Sequence, residues 1–161
     1  MTVEQRGVAL CSASEWQELN MAVRDVVQAA AGVGGDKLYV DDVFSTYLYT
    51  GNGGTQTINN GIDLDGEGGL VWIKNRTNTG GTYTASHNLY DTARGMTYTA
   101  AKRLISDTTD AQVNQTNYIR ADTAGFTLGS SATGAMVNAT TNNYASWTFR
   151  KAPKFFDVVT W

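Results

Sequence analysis

The stretch GLVWIK, residues 69–74, is apolar up to its final lysine and follows Gly68. A short apolar run bounded by a glycine is typical of a strand that is covered on both faces. A second stretch, YASWTF at residues 144–149, alternates two sets of side chains along its length. Alternation with a period of two is the pattern of a strand in a sheet. The two stretches predict that the chain folds around β-strands, with Trp72 and Trp147 in the core.

The chain from residue 38 onward carries further strand and turn signals. Residues 44–49 alternate with a period of two, and TGNGG at residues 50–54 follows them as a turn. Shorter strand candidates lie at residues 82–85, 118–121 and 126–128. Only residues 99–106 are expected to hold a helical turn. Short strands separated by glycine and asparagine predict a mainly β fold, a two-sheet sandwich or jelly roll.

Residues 1–35 follow a different pattern. Six apolar residues recur there at alternating spacings of three and four, and we name them the heptad seam: Trp16, Leu19, Val23, Val26, Ala30 and Val33. Helices that pack on one another use such a stripe. A capping box at Ser12 and Glu15, together with glycines from Gly32 onward, predicts a helix over about residues 14–31. We expect the heptad seam to serve oligomerisation and attachment.

The sequence predicts three segments along the chain. Residues 1–35 form an N-terminal helical attachment and oligomerisation segment, and residues 36–154 form the β-sandwich. In the last segment, residues 155–161, the string FDVVTW lines up with FSTYLY at residues 44–49, with an aromatic residue at both ends of each. The earlier copy leads into a turn, and the later copy stops where that turn would follow. We therefore expect a second β module to begin at residue 155.

Charge and composition exclude several classes of protein. A formal net charge of −3 leaves no basic footprint for nucleic acid. No apolar run approaches the roughly 20 residues that cross a bilayer, so membrane insertion is not expected. The N-terminal residues lack a secretory pattern, and Cys11 is the only cysteine, so no disulfide forms within the chain. These features predict folding in a reducing cytoplasm.

Three carboxylates form the densest acidic cluster: Asp63, Asp65 and Glu67. On a strand, a spacing of two places all three on one face, where carboxylate oxygens suit Ca²⁺. The same spacing also fits the acid and base of a glycan-cleaving enzyme. The alternative is an acidic turn between strands, which aspartate and glycine favour. The cluster is the candidate for a Ca²⁺ site, and no other metal or cofactor is expected.

The only histidine, His87, limits other catalytic arrangements. Ser86 adjoins it and Asp91 follows, but sequence neighbours are rarely placed as a triad, and no nucleophile elbow is present. We expect a structural histidine and no catalytic residue. Five tyrosines either stack on sugar rings or fill the core, and the sequence does not decide between these roles: Tyr49, Tyr83, Tyr90, Tyr98 and Tyr144.

Five strings taken together resemble a known family. They are YTGNG (49–53), GLVWIK (69–74), HNLYDTARG (87–95), ADTAGFTLG (121–129) and YASWTFRKAPKFFDVVTW (144–161). They look like the lectin-like, concanavalin A-type repeats in tail-fibre and other structural proteins of bacteriophages, especially marine ones, over residues 43–161. The resemblance implies a jelly-roll sandwich in a virion protein that is trimeric when in a fibre. It implies no catalytic residue and no particular sugar-binding position.

The expected function is that of a structural component of a phage virion, a tail fibre involved in host adhesion, with the heptad seam docking it on the particle. The expected partners are further copies of the chain in a homotrimer, other tail or virion proteins, and a host surface glycan. Three alternatives stay open: a carbohydrate-binding module that is itself the adhesin, a capsid decoration protein, and a polysaccharide depolymerase using the acidic cluster. The expected location is the virion tail, assembled in the host cytoplasm.

Overall fold

The computed structural model describes residues 38–77, 86–130 and 137–160. The heptad seam, the helix expected over residues 14–31 and the strand expected at residues 82–85 lie outside them. Within the described residues the chain forms one short helix and nine strands. In chain order these are α1 (Val40–Val43), β1 (Phe44–Thr50), β2 (Gln56–Asn59), β3 (Gly69–Asn75), β4 (His87–Asp91), β5 (Ala101–Ile105), β6 (Val113–Gln115), β7 (Ile119–Asp122), β8 (Gly125–Leu128) and β9 (Asn143–Arg150).

The strands form two antiparallel sheets. The larger sheet has six strands in the order β1-β9-β3-β4-β5-β6, and the smaller has three in the order β2-β8-β7. GLVWIK makes up most of β3, which pairs with β9 on one side and β4 on the other. The two stretches that predict the fold are therefore neighbours in the sheet, with Trp72 directly opposite Trp147.

The core lies between the two sheets. Its large side chains come from both sheets and are fully buried: Val71, Ile73, Tyr90, Ile119, Phe126, Leu128 and Tyr144. The large sheet also buries polar side chains on this inner side, and Asn88, Ser146 and Thr148 are at most 1% exposed. Successive side chains of a strand point to opposite faces. The residues between these buried positions therefore point away from the core.

The predicted mainly β sandwich is confirmed, and a short helix, α1, precedes the first strand. Strands expected at residues 44–49, 69–74, 118–121, 126–128 and 144–149 correspond to β1, β3, β7, β8 and β9. The helical turn expected over residues 99–106 is wrong, because β5 occupies Ala101–Ile105. β5 pairs with β4 and β6, and its burial alternates along its length. Sheet pairing overrides the local pattern there.

Candidate functional site

The outer face of the six-stranded sheet, the side that points away from the core, carries a continuous row of side chains. The row runs directly across five strands, and we name it the aromatic row: Thr46, Trp147, Trp72, Leu89 and Leu104. Thr46 is exposed, and the other four are half-buried. None of the five is charged. The row is therefore our candidate for an interaction surface.

The rings of Trp72 and Trp147 pack against each other at the centre of the row. Their ring centroids are 5.4 Å apart, with the ring planes tilted by 53°. Trp72 Nε1 donates a hydrogen bond of 2.8 Å to His87 Nδ1. Because Nδ1 accepts, a neutral His87 carries its proton on Nε2. This hydrogen bond fixes the orientation of the Trp72 ring relative to His87.

The expectation that Trp72 and Trp147 fill the core is wrong. Val71 and Ile73 occupy the inner positions of β3 and are fully buried, so Trp72 between them points outward. Trp147 faces the same way because it pairs directly with Trp72. Its Nε1 donates to no group in the part of the chain that the structure describes.

Sequence reasoning missed Leu89 and Leu104 altogether, since β4 was not predicted and β5 was expected to be helical.

One signal in β3 identifies the outward side of that strand. Lys74 lies two residues after Trp72, on the same side of the strand, and a lysine is rarely buried. This spacing indicates that the tryptophan side faces away from the core.

Aromatic rings extend the outer face at one end of the sheet. Phe44 and Phe149, on the paired strands β1 and β9, have ring centroids 4.9 Å apart. The chain then turns back after β9, with a bridge between Ala152 and Phe156. This turn places the Phe156 ring on Phe149, stacked at 5.2 Å. Within the described residues, the chain that follows β9 therefore covers one end of the outer face.

Polar groups border the aromatic row. Lys74 and Lys102 lie half-buried on β3 and β5. At the end of β4, the buried carboxylate of Asp91 accepts hydrogen bonds from the backbone N–H of Arg94 at 2.8 Å and from its Nε at 2.7 Å. An apolar centre with a polar border is the usual composition of a protein interface.

The acidic cluster lies in a loop. The strand on which the predicted shared face depends does not form, because β2 ends at Asn59 and β3 begins at Gly69. Asp63 Oδ1 instead accepts a hydrogen bond of 2.8 Å from the backbone N–H of Gly66. Aspartate side chains favour such local bonds in turns, so the turn interpretation describes the geometry. Among the described residues, no group of three or more acidic, histidine or cysteine side chains could hold a metal ion.

The structure divides the tyrosine candidates. Tyr49, Tyr90 and Tyr144 are in the core, and burial raises the pKa of all three phenols. The hydroxyl of Tyr90 donates to Gln115 Oε1 at 2.6 Å, as a buried hydroxyl requires. Tyr98 is half-buried, with the Arg120 guanidinium 5.4 Å from its ring centroid. Tyr83 lies outside the described residues. Three of the five tyrosines are therefore core residues and are not placed to stack on a sugar.

Comparison with known proteins relates the sandwich to one family. Residues 40–155 match a family described as a domain of unknown function, DUF7483. Neither the curated proteins nor the solved structures gave a match to the chain. No helix among the described residues has the length and apolar character needed to cross a bilayer. The family match covers α1, all nine strands and the outer face, well over half of the sequence, and the chain therefore belongs to the DUF7483 family.

Proposed function

We propose that the chain is a structural component of a phage virion, part of a tail fibre that contributes to host adhesion. Residues 1–35 attach it to the particle, and the sandwich acts as a rigid module between the attachment point and the host-facing end. The observation that carries the proposal is the uncharged aromatic row on an antiparallel sheet, which suits assembly with other protein surfaces. Four of the five strings that resemble phage structural proteins, and the first part of the fifth, lie in the same sandwich.

The candidate catalytic groups support a structural role over an enzymatic one. The single histidine uses Nδ1 to accept from Trp72, so that nitrogen is occupied. In the acidic loop, Asp65 and Glu67 are exposed, and Asp63 bonds to its own turn. A glycan-cleaving site needs one carboxyl kept protonated beside an ionised partner, with the substrate between them. Exposed carboxylates in a turn do not favour that arrangement.

The proposed role also fits the physics of multivalent adhesion. Several copies in one fibre, and several fibres on one particle, raise the overall affinity for a host surface glycan without any single tight contact. We propose a homotrimer held in part by the heptad seam. A seam of fewer than three heptads does not hold an oligomer by itself, so the sandwich or the particle must contribute.

Electron microscopy of virions from the source of the gene tests this role, with a gold-labelled antibody raised against the chain. We expect label along the tail fibres. Label on the head would contradict the fibre role and favour a capsid decoration protein. Virions without label would contradict any virion role. An antibody against the major capsid protein is the matched control for access to the particle.

A further inference from the structure

We infer that a cavity beside β5 binds an acidic sugar unit of a host surface glycan, a pyranose ring that carries one negative charge. The inference rests on the proposed role in host adhesion, and it assigns a weak glycan contact to the sandwich itself. The cavity has a volume of about 590 Å³, within the roughly 300–1,000 Å³ that is usual for small-ligand sites. We name it the basic cavity, and the side chains in its walls include Arg94, Lys102, Leu104, Gln112, Val159 and Thr160.

Separate parts of the chain build the basic cavity. Lys102 and Leu104 lie on β5, two residues apart and therefore on the same, outward side of the strand. Arg94 follows β4, and Gln112 comes just before β6. Residues 159–160, in the segment after β9, complete the walls. The sequence gives no local signal for this site, because the fold brings together residues that are far apart in the chain.

The segment after β9 is anchored before it reaches the basic cavity. The bridge between Ala152 and Phe156 turns the chain back, and the Lys151 ammonium bonds to the Asp157 carboxylate at 3.0 Å. The segment then continues to β5, where residues 159–160 line the cavity. The cavity is therefore formed before any ligand binds, which lowers the cost of ordering it on binding.

The charges around the basic cavity favour an anion. Two of its lining side chains are cationic, Arg94 and Lys102, and none of the described residues that line it is acidic. Two other cavities on the described part of the chain differ in this respect, because carboxylates line both of them: Glu67 and Asp157 in one, and Asp65 and Glu67 in the other. In a chain with 15 acidic and 12 basic residues, the basic cavity therefore concentrates positive charge.

Both cations keep hydrogen-bond donors that a ligand can use. Arg94 Nε and Nη2 bond to the buried carboxylate of Asp91, which fixes the guanidinium, and Nη1 has no partner among the described residues. Lys102 is half-buried, and its ammonium forms no ion pair within the same part of the chain. Asp91 balances one of the two positive charges. The charge that remains matches a ligand with a single negative charge.

The rest of the lining suits a sugar ring. Gln112 and Thr160 offer both donors and acceptors to ring hydroxyls. Leu104 is half-buried and Val159 is 71% exposed, so a pyranose packed on them through its C–H groups removes apolar surface from water. A small inorganic anion would use the two cations and leave this apolar surface uncovered. A few placed polar groups on an apolar lining are typical of a site for an organic ligand.

An NMR titration of the isotopically labelled 161-residue chain tests the inference, with three ligands that share one ring: glucuronic acid, a glucose sulfate and glucose. We expect an acidic sugar to bind with a millimolar dissociation constant and to shift the signals of residues that line the basic cavity. Glucose should bind at least about tenfold more weakly, because it lacks the charged hydrogen bonds. Tighter binding of glucuronic acid identifies a carboxylate as the recognised group, tighter binding of the glucose sulfate identifies a sulfate ester, and either result supports the inference.

Substitutions of Lys102 separate its charge from its shape. Lys102→Gln should weaken binding of the acidic sugar at least about fivefold, whereas Lys102→Arg keeps the charge and should retain binding. Lys154→Gln is the matched control, because it removes the same charge from an exposed position outside the basic cavity. We expect its affinity to equal that of the unaltered chain. Thermal melting establishes that each variant still folds.

Several results overturn the inference. Glucose that binds as tightly as the acidic sugars shows that charge is not recognised, and acetate or sulfate that binds as tightly as the matching sugar shows that the ring is not. Unchanged binding by a folded Lys102→Gln chain, or shifts confined to residues outside the basic cavity, excludes this site. Virion labelling is read separately: sugar binding without label on fibres contradicts only the proposed function, and label on fibres without sugar binding contradicts only the inference.

Discussion

The outer surfaces of the two sheets differ in polarity: that of the three-stranded sheet is polar, and that of the six-stranded sheet is largely apolar. On the three-stranded sheet, Thr57 and Thr127 have their hydroxyl oxygens 3.0 Å apart, Thr127 also donates to Asp122, and Arg120 pairs with Asp122 at 3.2 Å. On the six-stranded sheet, the aromatic row occupies the corresponding position. Both sheets cover the same core, so the core does not explain the difference. The polar side chains on the small sheet bond to one another and to water, whereas the aromatic row consists mainly of apolar side chains.

The largest effect is expected from a substitution that disrupts the pairing of β8 with β2 in the three-stranded sheet. Gly125 in β8 has φ +145°, and a Cβ there would lie 2.0 Å from the backbone oxygen of Ile58 in β2. Gly125→Ala therefore combines backbone strain with a clash that β2 cannot avoid, and we expect the free energy of unfolding to fall by more than about 3 kcal/mol. Urea unfolding measures it.

Gly61→Ala separates the two causes in the Gly125 experiment. Gly61 has φ +83°, and nothing lies within 4 Å of its would-be Cβ. Only the left-handed backbone strain remains, at about 1–2 kcal/mol. Equal losses for the two variants would show that the close approach of β8 to β2 does not matter.

The next effect tests whether the polar outer surface stabilises the small sheet. Thr127 is 2% exposed and donates to the Asp122 carboxylate, so Thr57 is the donor in the bond between the two threonines. Thr127→Val removes both bonds at nearly constant volume, and we expect a loss of about 2 kcal/mol. Thr57→Val, at an exposed position, should cost about 0.5 kcal/mol because water replaces its bond. Similar losses for the two variants in urea unfolding would contradict this account.

The sequence was sufficient to predict the strands that contain the aromatic row's tryptophans, but not the direction in which they point. An apolar run such as GLVWIK has two apolar sides, and periodicity does not identify the side that meets the core. The direction is set by the three-stranded sheet, which covers Val71 and Ile73. That sheet forms through pairings between residues 56–59 and residues 125–128, which are distant in the chain.

Strands β4 and β5 were missed for a different reason. Their inward positions include Asn88 and Arg103, which are 1% and 5% exposed. Arg103 Nη1 donates to Asn88 Oδ1 at 3.4 Å, so polar side chains are buried with partners on these strands. Buried polar residues weaken the alternation on which strand prediction depends. For the same reason, the sequence did not predict that Leu89 and Leu104 form one end of the aromatic row.

A smaller effect is expected from removing the hydrogen bond that orients Trp72 in the aromatic row. Trp72→Phe removes the N–H that bonds to His87, and we expect a loss of about 1 kcal/mol in the free energy of unfolding. Trp147→Phe makes the same change at an indole N–H without a partner in the described part of the chain, so its loss should be smaller. Thermal and urea unfolding of both variants compare them. A larger loss for Trp147→Phe would show that the His87 bond does not fix the row.

The smallest effect lies at the border of the outer face, in the turn that carries Phe156. The hydrogen bond from Lys151, at 3.0 Å, and a second from the backbone N–H of Val158 lower the pKa of Asp157 below its ordinary 3.8. Because the folded pKa is the lower one, the stabilisation is present above about pH 3.8 and is lost as the pH falls through the folded pKa. Carbon NMR of the Asp157 carboxyl should give a midpoint below 3.8, and Lys151→Gln should move it back toward 3.8. A midpoint of 3.8 in the unaltered chain would mean that solvent screens the pair, and that the bridge to Ala152 and ring packing hold Phe156 on Phe149 without it.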